Sequence, residues 1–220
     1  YEVNGPGDLF SSLPQRKQGI AGRISYSYDG RYFAEANFGY NGSENFAKGH
    51  RFGFFPSIAL GYNISNEKFW EPIKTIISNL KIRGSWGLVG NDATGAGRFA
   101  YMENLKLGNT EYYTTGIRQD TYYAGPTWER YFNPDLTWEV GEKINLGVDL
   151  QLFNDLNFTF DIFKEKRRDI FMTRENSIPE FVGTGDTDIT SNNGEMENKG
   201  FDFAVDYNKQ ITKDFFLSFK

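Results

Sequence analysis

The 220-residue chain has no cysteine and one histidine, His50. The first absence excludes disulfides, thiolate nucleophiles and cysteine metal sites. The second means that a Ser-His-Asp triad or a histidine metal centre would have to be built around His50, in a polar loop. Basic residues are outnumbered as well, with 24 Lys and Arg against 29 Asp and Glu and a formal net charge of -5. Nucleic-acid surfaces present a concentrated basic face, and the one basic cluster here is 164–168, so nucleic acid is not an expected partner. No apolar run approaches the ~20 residues of a transmembrane helix. Low mean hydropathy would ordinarily point to a soluble protein. In a transmembrane barrel, however, only alternate residues face lipid, and the membrane signal hides in a period of two.

Aromatic residues, by contrast, are plentiful: 21 Phe, 13 Tyr and 4 Trp make up 17% of the chain. This favours β structure and suits rings at a membrane interface or a sugar site. The period of two is clearest over residues 136–152. There Leu136, Trp138, Val140, Ile144, Leu146, Val148, Leu150 and Leu152 occupy even positions, broken only by Glu142, and the odd positions are small or polar. As one strand the run would reach about 55 Å, beyond an ordinary soluble sheet and suited to a tilted membrane-crossing strand.

The pattern recurs. Ile20, Ile24, Tyr26 and Tyr28 alternate with polar residues up to Asp29-Gly30, a tight-hairpin signal, and Tyr32, Ala34, Ala36, Phe38 and Tyr40 return. Further strands carry Phe54 to Tyr62 (with Pro56 implying a bulge or local break), Leu80 to Leu88, Leu156 to Ile162, Phe201 to Tyr207, and a last one from Phe215. Asn154-Asp155 is expected to form a second tight turn. Residues 66–79 place Phe69, Trp70, Ile73, Ile76 and Ile77 at spacings of three and four, predicting a short amphipathic helical turn with Pro72 in its first turn. Residues 89–133 read as an extended loop with room for a hairpin, and 174–195 as another long loop. The expected fold is therefore all-β, with eight antiparallel strands joined by alternating short and long connections. In outer-membrane barrels the short turns are periplasmic and the long loops extracellular, which would place Tyr26, Tyr28 and Tyr32 in an aromatic girdle.

Several stretches carry a resemblance: ISYSYDGRYFAEANFGYNGSENF (24–46), FFPSIALGY (54–62), LKIRGSWGLVGN (80–91), NPDLTWE (133–139) and NKGFDFAVDY (198–207). In that order they resemble the C-terminal barrel portion of SusC/RagA-type TonB-dependent outer-membrane transporters of Bacteroidetes. The resemblance implies a barrel of about 22 strands with a plugged lumen in a Gram-negative outer membrane. It also implies energy from the TonB complex, a SusD-like surface lipoprotein as partner, and an oligosaccharide or peptide as substrate. No cofactor is implied. On this reading residues 1–220 are a partial barrel domain, a fragment without plug, signal peptide or TonB-contacting segment, ending inside a strand and unable to transport alone.

Candidate lumen-lining residues are Arg23, Glu35, Lys81, Arg83, Glu139, Lys143 and Asp149, which also suit a solvated wall against a plug. Loop aromatics Tyr112, Tyr113, Tyr122, Tyr123 and Trp128 could stack on sugar rings, or equally serve loop packing or lipoprotein docking. Asp186, Asp188, Thr190 and Glu197 match positions 1, 3, 5 and 12 of a calcium loop, but Ser191 stands where the sharp turn needs glycine. The glycine-rich stretch 90–97 lacks the Lys-Ser/Thr pair of a phosphate loop. Glu129 and Glu139 are a weak glycosidase pair, better read as solvated charges, and no enzyme activity is expected. Two alternatives stay open at this point: a soluble β-sandwich that binds glycans without transport, and a small closed outer-membrane barrel of structural or enzymatic role.

Overall fold

The computed structural model describes residues 14, 16–93, 95, 97–173, 189–211 and 215–220, with the side chains at 106–112, 124, 127 and 129 outside that description. The strands are β1 (Lys17–Tyr28), β2 (Tyr32–Ser43), β3 (Phe52–Asn63), β4 (Ile77–Asn91), β5 (Asn104–Thr115), β6 (Thr121–Arg130), β7 (Glu139–Leu152), β8 (Leu156–Thr173), β9 (Thr190–Gln210) and β10 (Phe216–Phe219). Eight form one antiparallel sheet in the order β1-β2-β3-β4-β7-β8-β9-β10, while β5 and β6 form a separate hairpin. The eight expected strands are these eight. Among the described residues β1 and β10 do not pair with one another, so the sheet is an open wall, not a closed small barrel.

Two turns at one end of the sheet set its register. At the first, Asp29 and Gly30 have φ of 52° and 61°, and the Arg31 amide donates to the Tyr28 carbonyl at 3.0 Å, as in a type I′ turn. The second lies one residue earlier than expected: Phe153 (φ 53°) and Asn154 (φ 62°) are its left-handed pair, closed by the Asp155 amide on Leu152 at 3.1 Å. Leu152 pairs with Leu156, which keeps the even residues of β7 and β8 on one face. A slip of one residue would turn every side chain over.

Cross-strand rows show how the apolar face is built. Tyr26, Ala34, Leu60, Gly84, Leu146, Ile162 and Phe201 lie in one row across seven strands. On β2 and β3 the face stays apolar up to the Tyr40–Phe54 pair, on β4 to Leu88 and on β7 to Ile144. On β8 it stops at Ile162, above which come Lys164, Lys166 and Arg168. On β9 the edge is Phe201, in the row of Ile162, so relative to the hydrogen-bond rows the upper edge of the band drops by about six residues over the five strand steps from β2 to β9. About one residue per strand, at ~3.3 Å per residue and ~4.8 Å between strands, corresponds to strands inclined by roughly 35° to the band. These side chains are uncovered: Ile24 is 75% exposed, Leu60 61% and Phe201 71%. Patches this extensive mark a surface that another medium covers.

The buried core lies at the loop end. Phe46, Ala100, Leu136 and Trp138 cluster there, with Phe55, Tyr101 and Phe171 packed against them. Trp138 meets Phe46 at 5.5 Å and Phe55 edge-on at 5.3 Å between ring centroids, and its indole N–H donates to the Arg51 carbonyl at 3.1 Å.

Several expectations need correction here. The 136–152 run is not one strand: β7 begins at Glu139, and Leu136 and Trp138 belong to the core, not to the apolar outer face. Residues 66–79 form 3-10 turns, Ile64–Asn66 and Lys68–Ile73, with β4 starting at Ile77 and Pro72 next to last in its turn. Pro72 can donate no hydrogen bond, and the short segment is drawn straight into the strand. The 89–133 loop contains the end of β4 and the β5–β6 hairpin, and β9 starts at Thr190, inside the expected 174–195 loop. Pro56 interrupts only one ladder: β3 pairs with β2 through Pro56–Phe38, while its pairing with β4 stops at Ser57–Gly87.

Trp138→Ala would open a cavity in this one compact core and is expected to cost about 3–5 kcal/mol. Urea unfolding of the reconstituted full-length protein against wild type measures it.

Candidate functional site

Odd-numbered residues of the strands from β1 to β8 in the main sheet form the polar face, which β9 continues with its even-numbered residues, and the structure gathers the seven candidate wall residues there, each tied to a neighbour. Arg23 bonds Glu35 at 2.5 Å, and Asn37 donates to the same carboxylate at 2.9 Å. Lys81 lies over the Phe33 ring at 4.7 Å. Arg83 bridges three strands, reaching Asp149 on β7 at 3.1 Å and Asp161 on β8 at 2.6 Å. Gly147 makes this possible, since a Cβ there would stand 2.7 Å from the guanidinium carbon and 2.5 Å from an Asp161 oxygen. The other carboxylate oxygen of this residue, Asp161 Oδ1, is buried without a hydrogen-bond partner among the described residues. Glu165 takes Arg167 at 2.7 Å and Lys143 at 3.8 Å, and Arg167 also reaches Glu139 at 3.8 Å. Charges spent on one another in this way lace the strands together.

The hairpin divides the candidate aromatics. Tyr113 and Tyr123 are direct cross-strand partners and stack at 5.5 Å with 20° between ring planes. Tyr122 pairs with Thr114, the next position along, so it occupies the opposite face and is 67% exposed. Trp128 stacks at 5.8 Å on Tyr131, a partner that sequence reasoning missed. The Tyr112 side chain lies outside the described residues.

A second constellation at the turn end was also missed. Glu67 accepts from Arg31 at 2.8 Å, from the Tyr32 hydroxyl at 2.9 Å and from the Tyr62 hydroxyl at 3.1 Å. Tyr32 and Tyr62 stack at 5.0 Å with 7° between planes. The Arg31 hydrogen bond, followed by that from Tyr32, holds the Glu67 carboxyl below the ordinary value of 4.5. No periodicity signals Glu67, because its partners come from the β1–β2 turn, β2 and β3.

The remaining candidates are not assembled. His50 is 4.0 Å from Asp135, whose side chain is 88% exposed. Asp186 and Asp188 lie outside the described residues. Thr190 and Glu197 sit on β9, where seven extended residues separate them by about 23 Å, too far to share one cation. Glu197 is paired with Lys164 and Lys199. Glu139 is engaged by Arg167, and the Glu129 side chain is outside the description. Among the described residues no three His, Cys, Asp or Glu converge as a metal site.

One sheet of long strands, apolar on one face and charge-laced on the other, is the wall of a transmembrane β-barrel. A family model described as TonB dependent receptor-like, beta-barrel matches residues 1–220, and the chain belongs to that family. It is 35% identical over 198 residues to the TonB-dependent receptor SusC of Bacteroides thetaiotaomicron, covering 88% of this chain and 19% of SusC. It is 31% identical over 197 residues to the TonB-dependent receptor P3 of Formosa agariphila, covering 89% of this chain and 18% of that receptor. The chain thus spans about a fifth of the length of these relatives. Among solved structures, it is similar to the RagAB peptide transporter with a TM-score of 0.73 at 22% identity, covering 92% of this chain and 21% of that one. The siderophore receptor PirA from Pseudomonas aeruginosa shares the fold at a TM-score of 0.55 and 9% identity, covering 93% of this chain and 33% of that one.

Two outcomes follow from the geometry. Because Glu67 is shifted down in the folded state, its contribution is present above its unfolded value and lost as pH falls through the folded one. Unfolding midpoints between about pH 6 and about pH 3 should therefore fall further for wild type than for Glu67→Gln. Gly147→Val should displace Arg83 and leave Asp149 and Asp161 facing each other. A drop of about 2–4 kcal/mol in stability is expected, and Arg83→Met in the same background should add less than it costs alone, as a double-mutant cycle would show.

Proposed function

We propose that the chain forms part of the outer-membrane barrel of a TonB-dependent nutrient importer that takes up oligosaccharides or peptides with a SusD-like lipoprotein. The observation that carries this is the family match over residues 1–220, on a sheet whose apolar face has no protein cover among the described residues. TonB-dependent receptor barrels are outer-membrane proteins of Gram-negative bacteria, and the short turns of this sheet would then face the periplasm. A soluble sandwich needs a second sheet packed face to face at ~10 Å, and the eight strands of the main sheet form a single one. The relatives are receptors and transporters, and no catalytic role is assigned.

On this reading the paired charges make a stiff polar wall, the Tyr113–Tyr123 platform and Trp128 contact ligand or lipoprotein at the extracellular end, and TonB acts through parts outside this chain. SusC and RagAB favour a two-component importer; a peptide is named only for RagAB.

Growth of a receptor-deleted strain, restored with the full-length protein, on single oligosaccharides and on defined peptides tests the function. Loss of one nutrient on deletion supports it, and unchanged uptake of all of them overturns it. In the restored strain, Tyr113→Ala with Tyr123→Ala should weaken binding of that nutrient roughly 2–10-fold by calorimetry on the complex. Leu146→Arg, near the middle of the apolar band, should destabilise the barrel by about 2–4 kcal/mol, whereas Asn145→Arg on the other face should be tolerated.

A further inference from the structure

Residues 68–76, between β3 and β4, form a cationic amphipathic segment at the turn end. The 3-10 turn Lys68–Ile73 superposes side chains three apart. Lys68 and Glu71 therefore share one side, while Phe69 and Pro72, and Trp70 and Ile73, occupy the other two, and Lys74 and Ile76 follow in the turn that leads into β4. The apolar members are open: Phe69 is 65% exposed, Ile73 42% and Ile76 54%. Lys68 and Lys74 are exposed and make no ion pair among the described residues, unlike most cations of the sheet.

The segment is also fixed to the apolar face. At its start, Glu67 holds the hydroxyls of Tyr32 and Tyr62, two rings of that face. Trp70 donates its indole N–H to the Ile77 carbonyl at 3.1 Å, and the Ile76 carbonyl accepts from Phe153 at 3.0 Å, whose ring is 59% exposed. The apolar band thus continues under the turns into Phe69, Ile73, Ile76 and Phe153, and the free lysines stand at its border. Apolar residues beside unpaired cations, at the edge of an apolar band, match the chemistry of a bilayer surface carrying negative headgroups.

We propose that residues 68–76 are an interfacial foot, seated in the leaflet at the turn end, with Lys68 and Lys74 holding the phosphates of anionic phospholipid. The proposal rests on the barrel reading above. It makes this connection a membrane element, distinct from the strands that cross.

The test uses the full-length receptor in a cysteine-free background, reconstituted in phosphatidylcholine vesicles with about one-fifth phosphatidylglycerol. A spin label at Ile73→Cys reports depth through its accessibility to oxygen and to an aqueous relaxant, and a label at Leu146→Cys reports the wall itself. The expected result is a Leu146 label deep in the bilayer and an Ile73 label about 5–10 Å below the headgroups. Phosphatidylglycerol retained on the purified receptor, counted by native mass spectrometry, should fall about fivefold for each of Lys68→Ala and Lys74→Ala. A water-exposed Ile73 label beside a lipid-buried Leu146 label overturns the foot alone, as does undiminished phosphatidylglycerol retention in the double variant. A water-exposed Leu146 label overturns the barrel reading and the foot with it.

Discussion

Everything in this molecule depends on the strand register. In lipid a backbone N–H or C=O has no water to bond, so each must find its partner on the adjacent strand. Once the ladders are fixed, side chains have only two destinations, and a long alternating strand commits every residue at once. That is why the type I′ turn at Asp29-Gly30 and the Phe153-Asn154 turn matter beyond their size: they set which face Ile24, Leu60, Leu146 and Phe201 share. A compact core is small and confined to the loop end because the sheet itself is stabilised by its ladders and by the medium around it, not by a second layer of protein.

The two ends of the wall are finished differently. At the loop end, backbone leaves the sheet and needs other partners, and Trp138, Phe46 and Leu136 close over it with the indole N–H satisfied by Arg51. At the turn end the chain never departs far, and a single carboxylate, Glu67, gathers two tyrosine hydroxyls and a guanidinium. Between them the polar face uses cross-strand ion pairs, and Arg83 with Asp149 and Asp161 spans three strands.

Strand membership was legible because alternation is a local property of consecutive residues. All eight strands of the main sheet could be read from residues such as Tyr26, Tyr28, Ile144 and Leu146, and the family from five stretches between 24 and 207. Strand ends were less legible, because alternation can persist by composition after the ladder stops. Leu136 and Trp138 keep the pattern of β7 yet are buried among loop residues. The polar wall residues could be assigned to a face but not to partners, since Arg83 meets Asp161 across 78 positions of sequence. Glu67 was invisible for the same reason: Arg31 and Tyr32, which give it its role, lie 36 and 35 positions away. The 3-10 segment was mistaken for a helical turn because spacings of three serve both geometries.

The slide of the apolar band against the hydrogen-bond rows reaches the opposite face too. Arg23 on β1 and Glu165 on β8 lie in one row, yet the inclination of the strands sets them at different depths. Charges linked along a row therefore climb around the wall like the thread of a screw instead of forming level rings. The Arg23–Glu35, Arg83–Asp149 and Arg167–Glu165 pairs therefore stand at staggered heights along the wall.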